Sequence, residues 1–251
     1  MDLNLENKKV LITGSSKGIG LSILKAFSNE GSIVIANARN SNFLEKKTAD
    51  INNCSVIAGD VSNEDEAKSI VKKSIDKLGG LDIIVCNVGS GSSVPPGEET
   101  HGEWLRVMAI NLYSTTNIIE ASKNELAKNN GNIVCISSIC GSQTINNAPV
   151  TYSASKSALN SYIKGIARPL AKDGIRINAV EPGNIIFKGS SWQEKLNVDP
   201  QSVNAYLESE VPLRRFGLPE EIANTVMYLS SSKCNFVTGS VWRVDGGQSC
   251  N

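Results

Sequence analysis

Short apolar runs rich in Val and Ile alternate along the chain with longer stretches in which apolar residues recur at helical spacing. The apolar runs predict seven strands, at residues 9–13, 32–37, 54–58, 81–86, 132–137, 176–181 and 240–244. The longer stretches predict helices between them, for example at residues 19–29, 64–78, 152–171 and 220–229. The first six runs lack strict apolar–polar alternation, as in strands that helices cover on both faces. The pattern therefore predicts an α/β fold with one doubly wound, mostly parallel seven-stranded sheet.

Two polar segments interrupt this alternation. Residues 89–102 follow the fourth predicted strand and are rich in Gly, Ser and Pro, and residues 184–212 follow the sixth. Open α/β sheets bind ligands beyond the carboxyl ends of their strands, where both segments begin. We expect them to wall a substrate pocket, although solvated loops would have the same composition. Because no linker or repeat divides the chain, residues 1–251 are expected to form a single domain.

Composition narrows the range of partners. Of 251 residues, 25 are basic and 25 are acidic, so no net field attracts nucleic acid or an anionic membrane. No apolar run approaches the ~20 residues of a membrane span, and the first residues lack the apolar region of a secretory signal. We therefore expect a soluble, cytoplasmic protein without nucleic-acid or membrane partners.

Metal-ligating residues are few. The chain has a single histidine, His101, and no Cys-x-x-Cys pair. Zinc sites are usually built from clusters of these two residue types, so no metal site is expected. Cysteines within apolar runs usually act as small buried hydrophobes. The six cysteines are Cys54, Cys86, Cys135, Cys140, Cys234 and Cys250.

A glycine-rich turn follows the first predicted strand and opens the first helix. Its candidate ligand-binding residues are Gly14, Ser16, Lys17, Gly18, Ile19 and Gly20. Glycines allow a sharp turn, so that backbone N–H groups and the helix N-terminus can approach a pyrophosphate. The spacing differs from the common G-x-G-x-x-G fingerprint. A dinucleotide site is the functional interpretation, and a purely structural turn is the alternative.

The end of the second predicted strand bears on the choice of dinucleotide. An acid there would bind the adenosine ribose hydroxyls of NAD(H), but the sequence has Arg39 instead, and Lys17 lies in the glycine turn. Two cations at these places suit the 2′-phosphate of NADP(H). NADP(H) is therefore predicted over NAD(H), with two solvated surface charges as the alternative interpretation.

Tyr152 and Lys156 begin a predicted helix at positions i and i+4, which share one face. A nearby ammonium favours the phenolate and is expected to lower the pKa of the tyrosine, which suits it to proton transfer with a carbonyl oxygen. Ser138, at the end of the fifth strand, can hydrogen-bond the same oxygen. Alone, these residues would indicate only an amphipathic helix and a serine turn.

Taken together and in order, the motifs resemble the short-chain dehydrogenase/reductase family over nearly the full chain. They are Thr13-Gly14 with Gly18 and Gly20, Asp60-Val61, Asn87-Val88-Gly89, Asn111, Ser138, Tyr152 with Lys156, and Pro182-Gly183. Val88 replaces the usual alanine of the family. The resemblance implies a Rossmann-type fold and a single dinucleotide-binding oxidoreductase domain.

The same resemblance implies roles for these residues. Asp60 and Val61 would contact the adenine, and Asn87 and Gly89 would line the cofactor. Pro182 and Gly183 would pack along the nicotinamide. It also implies that the protein is a homotetramer.

The implied catalytic group is Asn111, Ser138, Tyr152 and Lys156. Ser138 and Tyr152 would hold the substrate oxygen, and Tyr152 would exchange its proton. Lys156 would bind the nicotinamide ribose, Tyr152 would also contact the cofactor, and Asn111 would hold a water near Lys156. The implied reaction is hydride transfer between the nicotinamide and a carbonyl or secondary alcohol.

The substrate is less constrained by the sequence. Residues 213–217 and 219–223 resemble 3-oxoacyl-[acyl-carrier-protein] reductases, which indicates an acyl-thioester substrate. A sugar or another polar secondary alcohol is the alternative, and a non-catalytic NADP-binding sensor or scaffold is a distant one. The polar pocket candidates are Ser90, Ser92, Ser93, Gln143, Asn146, Asn147, Asn184, Lys188, Ser190, Ser191, Trp192 and Gln193.

Overall fold

A computed structural model describes residues 1–249, so Cys250 lies outside the described residues. Within this range the strands are β1 (Lys9–Ile12), β2 (Ile33–Ala38), β3 (Cys54–Ala58), β4 (Ile83–Cys86), β5 (Asn132–Ile136), β6 (Arg176–Pro182) and β7 (Val241–Val244). They form one parallel sheet in the order β3-β2-β1-β4-β5-β6-β7. The predicted doubly wound sheet is confirmed.

The helices connect successive strands. They are α1 (Gly18–Asn29), α2 (Ser41–Thr48), α3 (Glu64–Leu78), α4 (His101–Met108), α5 (Ser114–Ala127), α6 (Val150–Lys172), α7 (Ser191–Val198), α8 (Pro200–Glu210) and α9 (Pro219–Ser230). A π-helical turn, Ala109–Tyr113, joins α4 to α5. Pro169 lies inside α6, which ends three residues later. The predicted loop segment after β6, residues 184–212, contains two of these helices, α7 and α8.

Both faces of the sheet are buried, which explains the absence of strict alternation in the sequence. On β1, Leu11 packs into the core layer beneath α3, α5 and α6, whereas Val10 and Ile12 belong to the layer beneath α1 and α9. All three side chains are 0% exposed. Successive residues of a strand point to opposite faces, so a strand between two helical layers must be apolar throughout.

The polar segments and the glycine turn all begin at the carboxyl edge of the sheet. The glycine turn follows β1, residues 89–102 follow β4, Ser138 follows β5, and Gly183 follows β6. The strand order reverses between β1 and β4, and this reversal opens a crevice at that edge. A small separate core of Val203, Leu207 and Val211 supports the segment after β6.

Two further properties of residues 1–249 bear on function. No helix in this range combines the length and apolar character needed to cross a bilayer. Nor do three His, Cys, Asp or Glu side chains in this range gather as potential metal ligands. Cys86 and Cys135 are buried in the core, as predicted for cysteines in apolar runs.

Candidate active site

The glycine turn is held against the start of the β4 loop. Gly14 and Gly18 have φ angles of +63° and +54°, in the left-handed region that glycine adopts readily. The Asn87 side-chain amide donates to the carbonyls of Thr13 and Gly14, at 3.1 and 3.0 Å. Asn87 therefore fixes the turn from the neighbouring strand, which is a structural role that the sequence did not reveal.

Helix α1 begins without a side-chain cap from any described residue. Its N-cap, Lys17, makes no capping hydrogen bond, and the first turn contains no acid. Helices α2, α3 and α4 differ, because Asn40, Asn63 and Thr100 cap them. The first N–H groups of an uncapped helix and the positive end of its dipole attract an anion. The N-terminus of α1 therefore fits a pyrophosphate.

The predicted cations are Lys17, in this turn, and Arg39, after the strand that pairs with β1. Lys17 and Arg39 are both exposed, and Arg39 directly follows β2. Asn37 is 1% exposed, and its amide nitrogen donates to the Ile57 carbonyl at 3.0 Å. The end of β2 is therefore followed directly by an exposed cation and not by a carboxylate.

The next pair along the chain, Asp60 and Val61, follows β3. The Asp60 carboxylate accepts from the N–H and hydroxyl of Ser62, at 2.9 and 2.7 Å. Val61 is 2% exposed and its side chain packs in the core. A ligand at this place would therefore meet the half-buried Asp60 and the backbone rather than the Val61 side chain.

Ser138 and Tyr152 come together at the end of β5. Ser138 starts a short 3₁₀ turn, Ile139–Gly141, and accepts a hydrogen bond from the Cys140 N–H at 3.2 Å. Tyr152 is half-buried in the first turn of α6, and the neighbouring Ser138 hydroxyl favours a lower tyrosine pKa. A serine hydroxyl and a phenol thus share one place, where both could bind a substrate oxygen.

Lys156 lies one turn further along α6 and is 2% exposed. Its ammonium is 6.0 Å from the centre of the Tyr152 ring and donates to the Ile136 carbonyl at 2.9 Å. Burial lowers the pKa of Lys156 to about 8 and raises the pKa of Tyr152 to about 12. The prediction of a depressed Tyr152 pKa is wrong for this structure, because desolvation outweighs the lowering influence of the neighbouring Ser138 hydroxyl.

Asn111 lies in the π-helical turn between α4 and α5, a distortion that recurs at functional sites. Its side chain accepts from the Ser90 N–H at 2.9 Å and donates to the Ser90 carbonyl at 3.1 Å. A Cβ atom on Gly89 would lie 3.0 Å from both Asn111 Oδ1 and Lys156 Nζ. The absence of a side chain at Gly89 therefore allows the loop after β4 to lie against Lys156.

Phe187 is a site residue that the sequence did not reveal. Its ring lies over the glycine turn, so that a Cβ atom on Gly18 would be only 2.5 Å from it. The segment after β6 thus reaches across the crevice. Pro182 is buried at the end of β6, and the Gly183 N–H donates to the Val244 carbonyl at 3.0 Å. No pattern around Phe187 distinguishes it from a core residue, which is why only the structure shows its position.

Several polar pocket candidates have structural roles. The Ser190 hydroxyl accepts from the N–H groups of Phe187 and Gln193, so it caps α7. The Ser93 hydroxyl bonds to Glu103 at 2.7 Å and to Thr151, next to Tyr152, at 2.6 Å. Both side chains therefore hold the two polar segments in place.

A cluster of side chains around Tyr206 of α8 was not predicted from the sequence. The amides of Asn184 and Gln248 donate to its hydroxyl at 3.4 and 2.8 Å. Trp192 stacks on its ring, with centroids 5.2 Å apart. This cluster joins the segment after β6 to the turn that follows β7.

Known proteins share both the sequence pattern and the fold. A family described as Enoyl-(Acyl carrier protein) reductase matches residues 14–249. The 3-oxoacyl-[acyl-carrier-protein] reductase of Thermotoga maritima is 33% identical, over 98% of this chain and 99% of its own length. L-sorbose reductase from Gluconobacter frateurii, solved with NADPH and L-sorbose, is 29% identical, with a TM-score of 0.91 over 99% of this chain and 98% of its own.

A short-chain type dehydrogenase/reductase from Mycobacterium marinum is also 29% identical, with a TM-score of 0.91. The match covers 100% of this chain and 98% of that one. Sequence and structure agree over essentially the whole length. The chain therefore belongs to the short-chain dehydrogenase/reductase family.

Proposed function

We propose that this protein is an NADP(H)-dependent oxidoreductase that transfers a hydride between the nicotinamide and a carbonyl or secondary alcohol. The observation that carries the proposal is the meeting of Ser138, Tyr152 and Lys156 at the sheet edge that also holds the uncapped glycine turn. A binding protein needs the glycine turn alone, so a buried acid–base group beside it favours an enzyme over a sensor or scaffold.

The binding half of the proposal rests on the anion-binding turn. Backbone N–H groups of Gly18, Ile19 and Gly20, with Ser16 nearby, would hold the pyrophosphate at the start of α1. Lys17 and Arg39 would hold the 2′-phosphate, which favours NADP(H) over NAD(H). Similarity to an L-sorbose reductase solved with NADPH supports this choice. The remaining proposed contacts are Gly14, Asp60, Val61, Asn87, Gly89, Pro182 and Gly183.

The catalytic half assigns one task to each group. The bound cofactor supplies or accepts the hydride. Because the pKa of Tyr152 is raised to about 12, its hydroxyl is protonated near neutral pH and can donate to a substrate carbonyl oxygen. Ser138 would hold the same oxygen. The buried Lys156 ammonium would stabilise the phenolate left on Tyr152, and Asn111 would keep the β4 loop against it.

For the substrate we propose a 3-oxoacyl thioester, supported by the 33% identity to the Thermotoga maritima reductase. A sugar or another polar secondary alcohol is the second candidate, favoured by the hydroxyl and amides of the Tyr206 cluster. In either case, residues 89–102 and 184–212 would form the sides of the substrate pocket. The chain would form a single domain.

A substrate panel tests the proposal. NADPH and NADH oxidation would be followed by absorbance with β-ketoacyl thioesters, keto-sugars and simple ketones. We expect turnover with NADPH on one class, and weaker turnover with NADH. Equal or better use of NADH would contradict the role given to Lys17 and Arg39. Tight NADPH binding without turnover of any compound would favour the sensor.

A further inference from the structure

A buried carboxylate lies near the proposed catalytic group, and within residues 1–249 it shares no hydrogen bond with Ser138, Tyr152 or Lys156. Glu181 precedes Pro182 at the end of β6 and is 0% exposed. Its Oε1 accepts hydrogen bonds from the Ser142 hydroxyl and the Asn160 amide, both at 2.6 Å. Arg243 of β7 brings its Nε to 3.4 Å from Oε2. A carboxylate is costly to bury, so these partners are needed to keep it there.

The partners of Glu181 lie on the two segments that carry the acid–base group. Ser142 ends the 3₁₀ turn that Ser138 begins. Asn160 lies one helical turn after Lys156 on α6. The Asn160 side-chain oxygen, Oδ1, also accepts from the Ser137 hydroxyl, at 2.6 Å. One carboxylate oxygen therefore ties the serine turn, α6 and the end of β6 together.

The contact between the serine turn and α6 is tight. A Cβ atom on Gly141 would lie 2.7 Å from the Asn160 amide and 2.8 Å from the Lys156 carbonyl oxygen. The Ser157 hydroxyl donates to the Gly141 carbonyl at 2.8 Å. Because the 3₁₀ turn packs closely against α6, a displacement of the turn at Ser142 would also displace Ser138 relative to α6.

We propose that Glu181 is a positioning residue that keeps Ser138 in register with Tyr152 and Lys156. This inference rests on the proposed function. Arg243 offsets the charge of Glu181. It also donates to the Ser249 carbonyl at 2.9 Å, which links Glu181 to the turn after β7. The Arg243 side chain is 41% exposed, and ion pairs that reach solvent contribute little net stability. A role in geometry therefore accounts better for this carboxylate than a role in stability.

The experiment compares Ser142→Ala, Glu181→Gln and Glu181→Ala with Ser69→Ala, an exposed serine of α3. Since small misplacements of catalytic groups cost up to about 100-fold, we expect Ser142→Ala to lower kcat about tenfold with the NADPH Kd unchanged. Glu181→Ala should lose more, and Glu181→Gln should recover part of that loss, because its amide oxygen can still accept from Ser142. Ser69→Ala should match the wild type.

Amide hydrogen exchange of residues 137–143, measured without substrate or cofactor, gives a second readout that does not depend on turnover. Faster exchange in Ser142→Ala than in the wild type and Ser69→Ala supports the positioning role of Glu181. This result holds even if the wild type turns over no compound of the panel and the proposed function fails. Unchanged exchange with unchanged kcat would overturn it. An equal loss of NADPH affinity and kcat would also overturn it. If Glu181→Ala fails to fold, the Ser142→Ala variant still tests the proposal, because Ser142 is exposed.

Discussion

The Lys156 ammonium lies 6.0 Å from the centre of the Tyr152 ring and gives its hydrogen bond to the Ile136 carbonyl. Desolvation by burial is the largest influence on the pKa of each group, and it acts against the charged form of both. At neutral pH the pair is therefore a protonated phenol beside an ammonium. Such a pair is poised to donate a proton to a carbonyl oxygen.

The buried ammonium makes the stability of the protein dependent on pH. The pKa of Lys156 falls from 10.5 to about 8 in the folded chain, so between these values the unfolded chain binds more protons. Folding is therefore opposed by Lys156 below pH 8, and this cost disappears as the pH rises to 10.5. We expect the free energy of unfolding of the wild type, relative to Lys156→Met, to rise over this window by up to about 3 kcal/mol. Denaturant unfolding at several pH values measures it, and a flat difference would show that Lys156 is not desolvated.

The cations beside the glycine turn predict a selective effect on cofactor affinity. Arg39→Ala should weaken NADPH binding at least about tenfold, because a charge-assisted hydrogen bond contributes about 1.5 to 3 kcal/mol. NADH binding should be unchanged, since it has no 2′-phosphate. Calorimetric titration of both nucleotides measures this. Lys46→Ala, in α2, is the matched control, and an equal loss for NADH would remove the assignment to the 2′-phosphate.

The contact between Phe187 and Gly18 predicts a strong effect of a single methyl group. Gly18→Ala places a residue with a side chain at a φ of +54° and forces its Cβ into the Phe187 ring. We expect a loss of about 1 to 2 kcal/mol from the backbone conformation alone, and weaker NADPH binding. Thermal unfolding of Gly18→Ala with and without Phe187→Ala measures both contributions. If Phe187→Ala restores none of the stability, the ring does not press on the turn.

Exposed apolar side chains between α4 and α6 predict self-association. Leu105, Tyr113 and Val150, which are 55, 45 and 44% exposed, lie on the run of helices from α4 to α6. We expect a homotetramer in solution, as the family resemblance implies, and a smaller species for Leu105→Glu. Light scattering coupled to size exclusion measures the mass. A monomeric wild type at micromolar concentration would contradict the expectation.

The sheet could be predicted from the sequence because its strands are buried on both faces, which makes apolar runs such as that around Leu11 unmistakable. The meeting of Ser138 with Tyr152 was also predictable, since both follow from the order of motifs along the chain. The pKa of Tyr152 was not, because its direction depends on burial. The roles of Glu181 and Phe187 could not be predicted either. The hydrogen-bond partners of Glu181 and the contact of Phe187 with Gly18 are distant in sequence.

Turnover by Tyr152→Phe tests the central claim most directly. The substitution removes one hydroxyl from a half-buried ring and leaves the glycine turn and Lys156 in place. With the best substrate of the panel, we expect kcat to fall by about 100-fold or more, as for the loss of a general acid, while the NADPH Kd stays unchanged. Activity within a few-fold of the wild type would contradict the account, because the proton would then come from a group other than Tyr152.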